Sequence, residues 1–169
     1  MTESLPNPSS SPVCYADQAC DAYMGFHARD DLIAALTELL EAERAGLKVG
    51  ARLIGMAEDP QMLALTRRVR DDEGRWCRML VGALRRLGAR PSNKVGDFCD
   101  KVMALEGLSA RLALLNRGQA WVVRKLQALL PKVRDDQLHD DLRAMLEAHL
   151  ANIELTERAL ARPHQGRGS

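Results

Sequence analysis

Aromatic residues are scarce in this sequence, with two each of Trp, Tyr and Phe among 169 positions, and the apolar set is drawn mainly from Leu, Ala and Met. That usage disfavours sheets, which are built on aromatic and β-branched side chains, and predicts an all-α fold. No apolar run approaches the 18 or more residues of a membrane-spanning helix, and the N-terminal stretch lacks the basic and apolar regions of a secretory signal. The expectation is a soluble cytoplasmic protein with no membrane partner. Cysteines are few and scattered: Cys14, Cys20, Cys77 and Cys99 contain no CxxC pair, which disfavours a zinc knuckle. They read as free thiols, since a Cys14–Cys20 disulfide would require an oxidising compartment. No Gly-rich phosphate loop, nucleophile elbow or other enzyme motif occurs, so no residue is assigned a catalytic role.

What is present is enough apolar residue, 46% of the chain, to build the core of one domain. The net charge of +1 conceals an uneven distribution, because residues 60–134 hold 16 basic against 6 acidic residues and both flanks are acidic. Such a segment could serve a polyanion-binding or protein-interaction module. With no recognition motif and no interleaved aromatics, nucleic acid is disfavoured, and the simpler reading is basic and acidic helices lying side by side. The i,i+4 pairs Arg67/Asp71, Arg68/Asp72 and Asp71/Arg75 favour it.

Residues 1–26, with Pro6, Pro8, Pro12 and a Ser9-Ser10-Ser11 run, read as a weakly structured arm docked at its end by Tyr23, Met24 and Phe26. Residues 163–169 read as a polar tail, leaving a helical domain over 27–162. Its first helix is expected to start after a cap at Asp30 or Asp31 and to stop near Glu58. Asp59-Pro60, a good N-cap followed by a proline suited to a first turn, opens the second helix, which ends before Gly88. A linker through Pro91 and Gly96 follows. The third helical region begins after Asp97, with a separate first piece to about Ala104 and a main part over about 105–130, and the fourth starts at Asp135 or Asp136 and reaches about Ala161. Two short hairpins separated by a longer connection suit an antiparallel four-helix bundle with a crossover between helices two and three.

Each helix has an apolar seam at alternating spacings of three and four, interrupted by a polar residue near its middle. Helix one gives Ile33, Leu36, Leu40, Glu43, Leu47, Gly50 and Ile54. Helix two gives Met62, Thr66, Val69, Glu73, Trp76, Leu80, Ala83 and Leu87. Helix three is interrupted at Gln119, between Leu115 and Val122, and helix four at His149, between Met145 and Ile153. Glu43 and Glu73 lie about 15 residues either side of Asp59, a rise of roughly 22 Å along each helix, so they face one another. Gln119 and His149 are similarly placed about Val133. Four polar groups therefore meet at one depth, where either a metal ion or a neutralised hydrogen-bonded network must compensate them.

The stretch Glu38-Leu39-Leu40-Glu41-Ala42-Glu43, the Asp72-Glu73-Gly74-Arg75-Trp76 segment and His149 together resemble the ferritin-like superfamily. Its di-iron pattern carries Glu on helix one, Glu-x-x-His on helix two, Glu on helix three and Glu-x-x-His on helix four. The resemblance spans about residues 30–160 and is similar in pattern to an uncharacterised family of small bacterial ferritin-like proteins. Three of six ligand positions are kept, namely Glu43, Glu73 and His149. Trp76 and Leu146 stand where a His and a Glu belong, and helix three offers Gln119. The resemblance thus implies a degenerate di-iron site that is no iron-storage ferroxidase, with a single Fe or Mn ion as the candidate cofactor, a mononuclear oxidoreductase as the alternative activity, and a homodimer as the candidate assembly. Cys77, Trp121 and Met145 are read as packing residues, and His27, His139 and His164 as solvated ones.

Overall fold

The computed structural model describes residues 24–57 and 59–162. Over these the chain is all-helical: α1 spans Arg29–Ile54, α2 Pro60–Arg86, α3 Phe98–Met103, α4 Leu108–Leu129 and α5 Asp136–Ala161, with a single 3-10 turn at Leu130–Lys132. Most of the expected arm, the Cys14 and Cys20 positions, and the tail with His164 lie outside the described residues. None of the described helices is long and apolar enough to cross a membrane.

The helix boundaries follow local chemistry. The Asp59 side chain accepts from Gln61 N at 2.8 Å with Pro60 in the first turn, and Asp135 accepts from Leu138 N at 2.7 Å. At the end of α2, Gly88 adopts φ +70 and Ala89 N donates to Leu84 O at 2.9 Å, the left-handed closure expected of a C-terminal glycine. Three boundaries differ from expectation. α1 is capped at Ala28, two residues before the earlier of the expected caps and without any side-chain cap, so Asp30 and Asp31 sit inside the first turn, where their charge interacts favourably with the helix dipole. It also stops at Ile54 rather than near Glu58, closed by Met56 N donating to Leu53 O at 3.0 Å. The main third helix begins at Leu108, because Gly107 at φ +79 separates it from the short α3.

α1 packs against α2 and α4, and α5 packs against the same two helices. The ends are tied as well. Arg29 reaches the Leu87 carbonyl and His27 N donates to Lys132 O at 3.0 Å, while at the opposite ends Arg162 bonds Gln61 and Arg111 bonds the Leu105 and Met103 carbonyls. Between α2 and α3 the linker runs along α1, where Ser92 bonds Glu41 and Asn93 accepts from Arg44. Basic and acidic helices do lie side by side, as in the Lys125–Glu38 pair at 3.0 Å between α4 and α1. Of the expected helical pairs Arg68–Asp72 forms at 4.0 Å, and Asp71 is held by Arg70 at 2.7 Å.

The interior consists of two apolar clusters. One contains Leu36, Leu40, Trp76, Leu80, Val122, Leu126, Leu142 and Met145; the other contains Val49, Leu53, Val69, Cys99, Leu112 and Leu115. Along α1, α2 and α4 the break between the clusters falls where the seam carries Glu43, Glu73 and Gln119, and a core that would otherwise be continuous is divided by polar side chains. The seam itself drifts from expectation at the end of α1. Val49 and Leu53 are buried while Leu47 and Ile54 are only half-buried, because a 3.6-residue period slips against strict three-four spacing.

Candidate metal centre

Glu43 on α1, Glu73 on α2 and His149 on α5 are all buried, at 0%, 4% and 2% exposure. One ligating atom from each lies within 4.8 Å of the others, the spacing of a three-donor site. His149 Nε2 is 3.2 Å from Glu43 Oε1. Gln119 on α4 is equally buried and lines, with Glu73, the floor of a neighbouring cleft. The four seam-breaking residues thus all lie inward, as their sequence positions require, and three of them meet directly.

One ring nitrogen of His149 is settled by its partner. Nδ1 lies 2.9 Å from the Met145 carbonyl, which can only accept, so Nδ1 carries a hydrogen, and in the neutral ring Nε2 presents a lone pair to Glu43. A lone pair facing a carboxylate oxygen at 3.2 Å is repulsive unless a proton or a cation lies between them. Both Glu43 oxygens, His149 Nε2 and Gln119 Oε1 are buried without a hydrogen-bond partner among the described residues. Orphans of this kind are uncommon in folded proteins, and those of Glu43 and His149 lie side by side.

Burial determines the electrostatics. It pushes the Glu43 carboxyl from the ordinary 4.5 up to about 8, with the adjoining Glu73 carboxyl opposing the rise and the Asp72 charge adding to it. Glu73 is likewise held well above the usual carboxylate range, by burial first and by Glu43 second. Two carboxylates this close in a dry core cannot both ionise cheaply, so without a cation they retain a proton. A divalent ion removes that constraint. Two carboxylates and a neutral imidazole, with the imidazole fixed by a carbonyl on its far nitrogen, fit one such ion.

Several residues that support the site were missed in the sequence. Gly46, one turn after Glu43, provides the space for the second carboxylate: a Cβ there would stand 2.6 Å from Glu73 Oε2. A helix-interior glycine with no turn to serve was its only signal. One turn beyond His149, Asn152 is 2% exposed; its Nδ2 donates to Asp72 at 2.9 Å, and its Oδ1 accepts from Arg68 Nε at 3.0 Å. This Arg68–Asp72–Asn152 network ties α2 to α5 beside the site. Cys77 is half-buried, and burial with the nearby Glu43 and Glu73 charges pushes its thiol up to about 12, consistent with a packing role. Trp76 is 2% exposed within the core, and Met145 is fully buried, both as expected of packing residues. Trp121 is half-buried and packs against the same cluster, and it also forms part of the wall of the neighbouring cleft.

A family model described as Domain of unknown function (DUF6306) matches residues 30–159, and the chain belongs to that family. No curated protein and no solved structure matches the chain.

Proposed function

We propose that this member of the DUF6306 family is a ferritin-like four-helix bundle protein that holds one divalent transition-metal ion, Fe or Mn, through Glu43, Glu73 and His149. The end-to-end contacts support the bundle and its crossover. His27 and Lys132, with Arg29 and Leu87, gather the start of α1, the end of α2 and the end of α4. The linker must then travel the length of the molecule to begin α4 at the opposite end, and its bonds to Glu41 and Arg44 lie partway along that route. Every pair of adjacent long helices is antiparallel in this arrangement, and Glu43 and His149 come from diagonally opposed helices.

The observation that carries the metal reading is the convergence of Glu43, Glu73 and His149, all buried, with one ligating atom of each within 4.8 Å of the others. A storage ferroxidase does not fit, because Trp76 and Leu146 fill two of the six ligand positions and Gln119 is neutral. A single Fe or Mn ion would supply Lewis acidity or one-electron chemistry. The protein's part is to fix the imidazole through Met145, to hold Glu73 against Gly46 and to keep the three donors buried. An oxidoreductase is the second reading, favoured by the cleft that reaches Glu73 and Gln119 from the surface. Metal analysis of the purified protein tests the proposal: about one Fe or Mn per chain is expected, and the ion should be lost from Glu43→Gln. Metal retained undiminished in that variant would place any ion elsewhere.

A further inference from the structure

Beside the site a cleft of about 580 Å³ lies between α1 and α4, roofed by Val95, Gly96 and Phe98 of the linker and α3. This is within the size range of small-molecule pockets, roughly 300–1,000 Å³. Its walls are largely apolar, with Ala42 and Ala45 on one side and Leu114, Trp121 and Val122 on the other. Small residues keep it open on the α1 side. Phe98 is seated against Gly118, where a Cβ would stand 2.9 Å from its ring, so the roof is held by packing against α4.

The floor is polar. Gln119, 3% exposed, lines the cleft, and its Oε1 has no hydrogen-bond partner. Glu73 lines it too, and its carboxyl keeps an acceptor oxygen whether or not it carries the proton of the Glu43–Glu73 pair. An unpartnered buried acceptor costs about 1–3 kcal/mol unless something donates to it. A largely apolar cleft with an unpartnered acceptor at its floor is complementary to a molecule with an apolar body and one hydrogen-bond-donating head.

We infer that this cleft binds a small amphiphile through its apolar walls and takes the ligand's hydroxyl or amino head onto Gln119 beside Glu73. The inference deepens the metal-site proposal by giving that site a ligand class, yet the pocket is formed by the fold and does not need the ion. The head would arrive next to the donor set, which is where a reacting group has to sit.

Calorimetric titration of the full chain, freed of metal by chelation, separates this inference from the metal reading. The probes are 1-octanol and its methyl ether, which share the tail and differ only in the donor. Saturable 1-octanol binding is expected, with the ether about tenfold weaker for the lost hydrogen bond. Ala42→Phe, which fills the cleft, should abolish binding of both. If that variant does not fold, Gln119→Leu carries the test, and it should bring 1-octanol down to the affinity of the ether. Absence of saturable binding, equal affinity of the two probes for the unmodified protein, or an unchanged preference in Gln119→Leu would each overturn the inference, whatever the metal content proves to be.

Discussion

His149 Nε2 lies 3.2 Å from Glu43 Oε1, while its Nδ1 is tied to the Met145 carbonyl at 2.9 Å. The imidazole therefore cannot turn its hydrogen toward Glu43 without breaking a buried hydrogen bond, and the pair needs a proton or an ion between its members. Replacing His149 by Leu should remove the third donor and the orphaned lone pair together. Thermal melts with Mn(II) are expected to lose their metal-dependent rise in this variant, while the metal-free protein retains its stability within about 1–2 kcal/mol, because a packed apolar side chain of similar volume replaces a poorly satisfied polar one. A metal-dependent rise equal to that of the unmodified protein would exclude His149 as a ligand.

The metal-free protein should lose stability as the pH rises. Glu43 has a folded-state pKa near 8 against an ordinary 4.5, and Glu73 is shifted the same way. Between those limits the native state binds more protons than the unfolded chain, so unfolding free energy falls with pH. The stabilisation from the neutral carboxyls is fully present below about pH 4.5 and is lost as pH passes about 8. Urea titrations at pH 6 and pH 9 measure the slope. Glu43→Gln combined with Glu73→Gln should flatten it, and a slope unchanged in that double variant would locate the titrating groups elsewhere.

Gly46 and Gly82 make a controlled pair, since both are helix-interior glycines. At Gly82 an added Cβ meets nothing closer than the Arg86 side chain at 3.7 Å, so Gly82→Ala should stabilise by about 0.5–1 kcal/mol through helix propensity. At Gly46 the added Cβ would stand 2.6 Å from the Glu73 carboxylate. Gly46→Ala should displace that group and weaken metal binding, read as a smaller metal-induced rise in Tm. Equal behaviour of the two variants would mean that the Glu73 carboxylate is not held against Gly46.

Trp76 is expected to cost about 3–5 kcal/mol on truncation to Ala, as a large residue in a packed cluster, measured by denaturant unfolding. Trp76→His probes the lineage of the site. It places an imidazole three residues after Glu73 and should raise metal affinity while lowering the stability of the metal-free protein; unchanged affinity would show that the space Trp76 fills is not a ligand position.

The depth of the polar layer was legible in the sequence because hairpin geometry makes it countable. Glu43 and Glu73 are nearly equidistant from Asp59, and the apolar seam marks which way each points. The capped starts at Asp59 and Asp135, and the stop at Gly88, were legible because their chemistry is local. The caps at Asp30 or Asp31 were misread, since an aspartate in a first turn and one at a cap look alike without the backbone. Gly46 and Asn152 lie beside the seam positions rather than on them. Their roles depend on which neighbour faces them, Glu73 in one case and Asp72 with Arg68 in the other, and periodicity along one helix carries no record of that.

The central claim, one ion on Glu43, Glu73 and His149, is tested most directly by titrating Mn(II) into the metal-free protein by calorimetry in two buffers of different ionisation enthalpy. Binding of about one ion per chain is expected, with a buffer-dependent heat as the ion displaces the proton kept between the carboxyls. The Glu43→Gln, Glu73→Gln variant should show neither. Absence of binding to the unmodified protein, or the same binding to the double variant, would contradict the account.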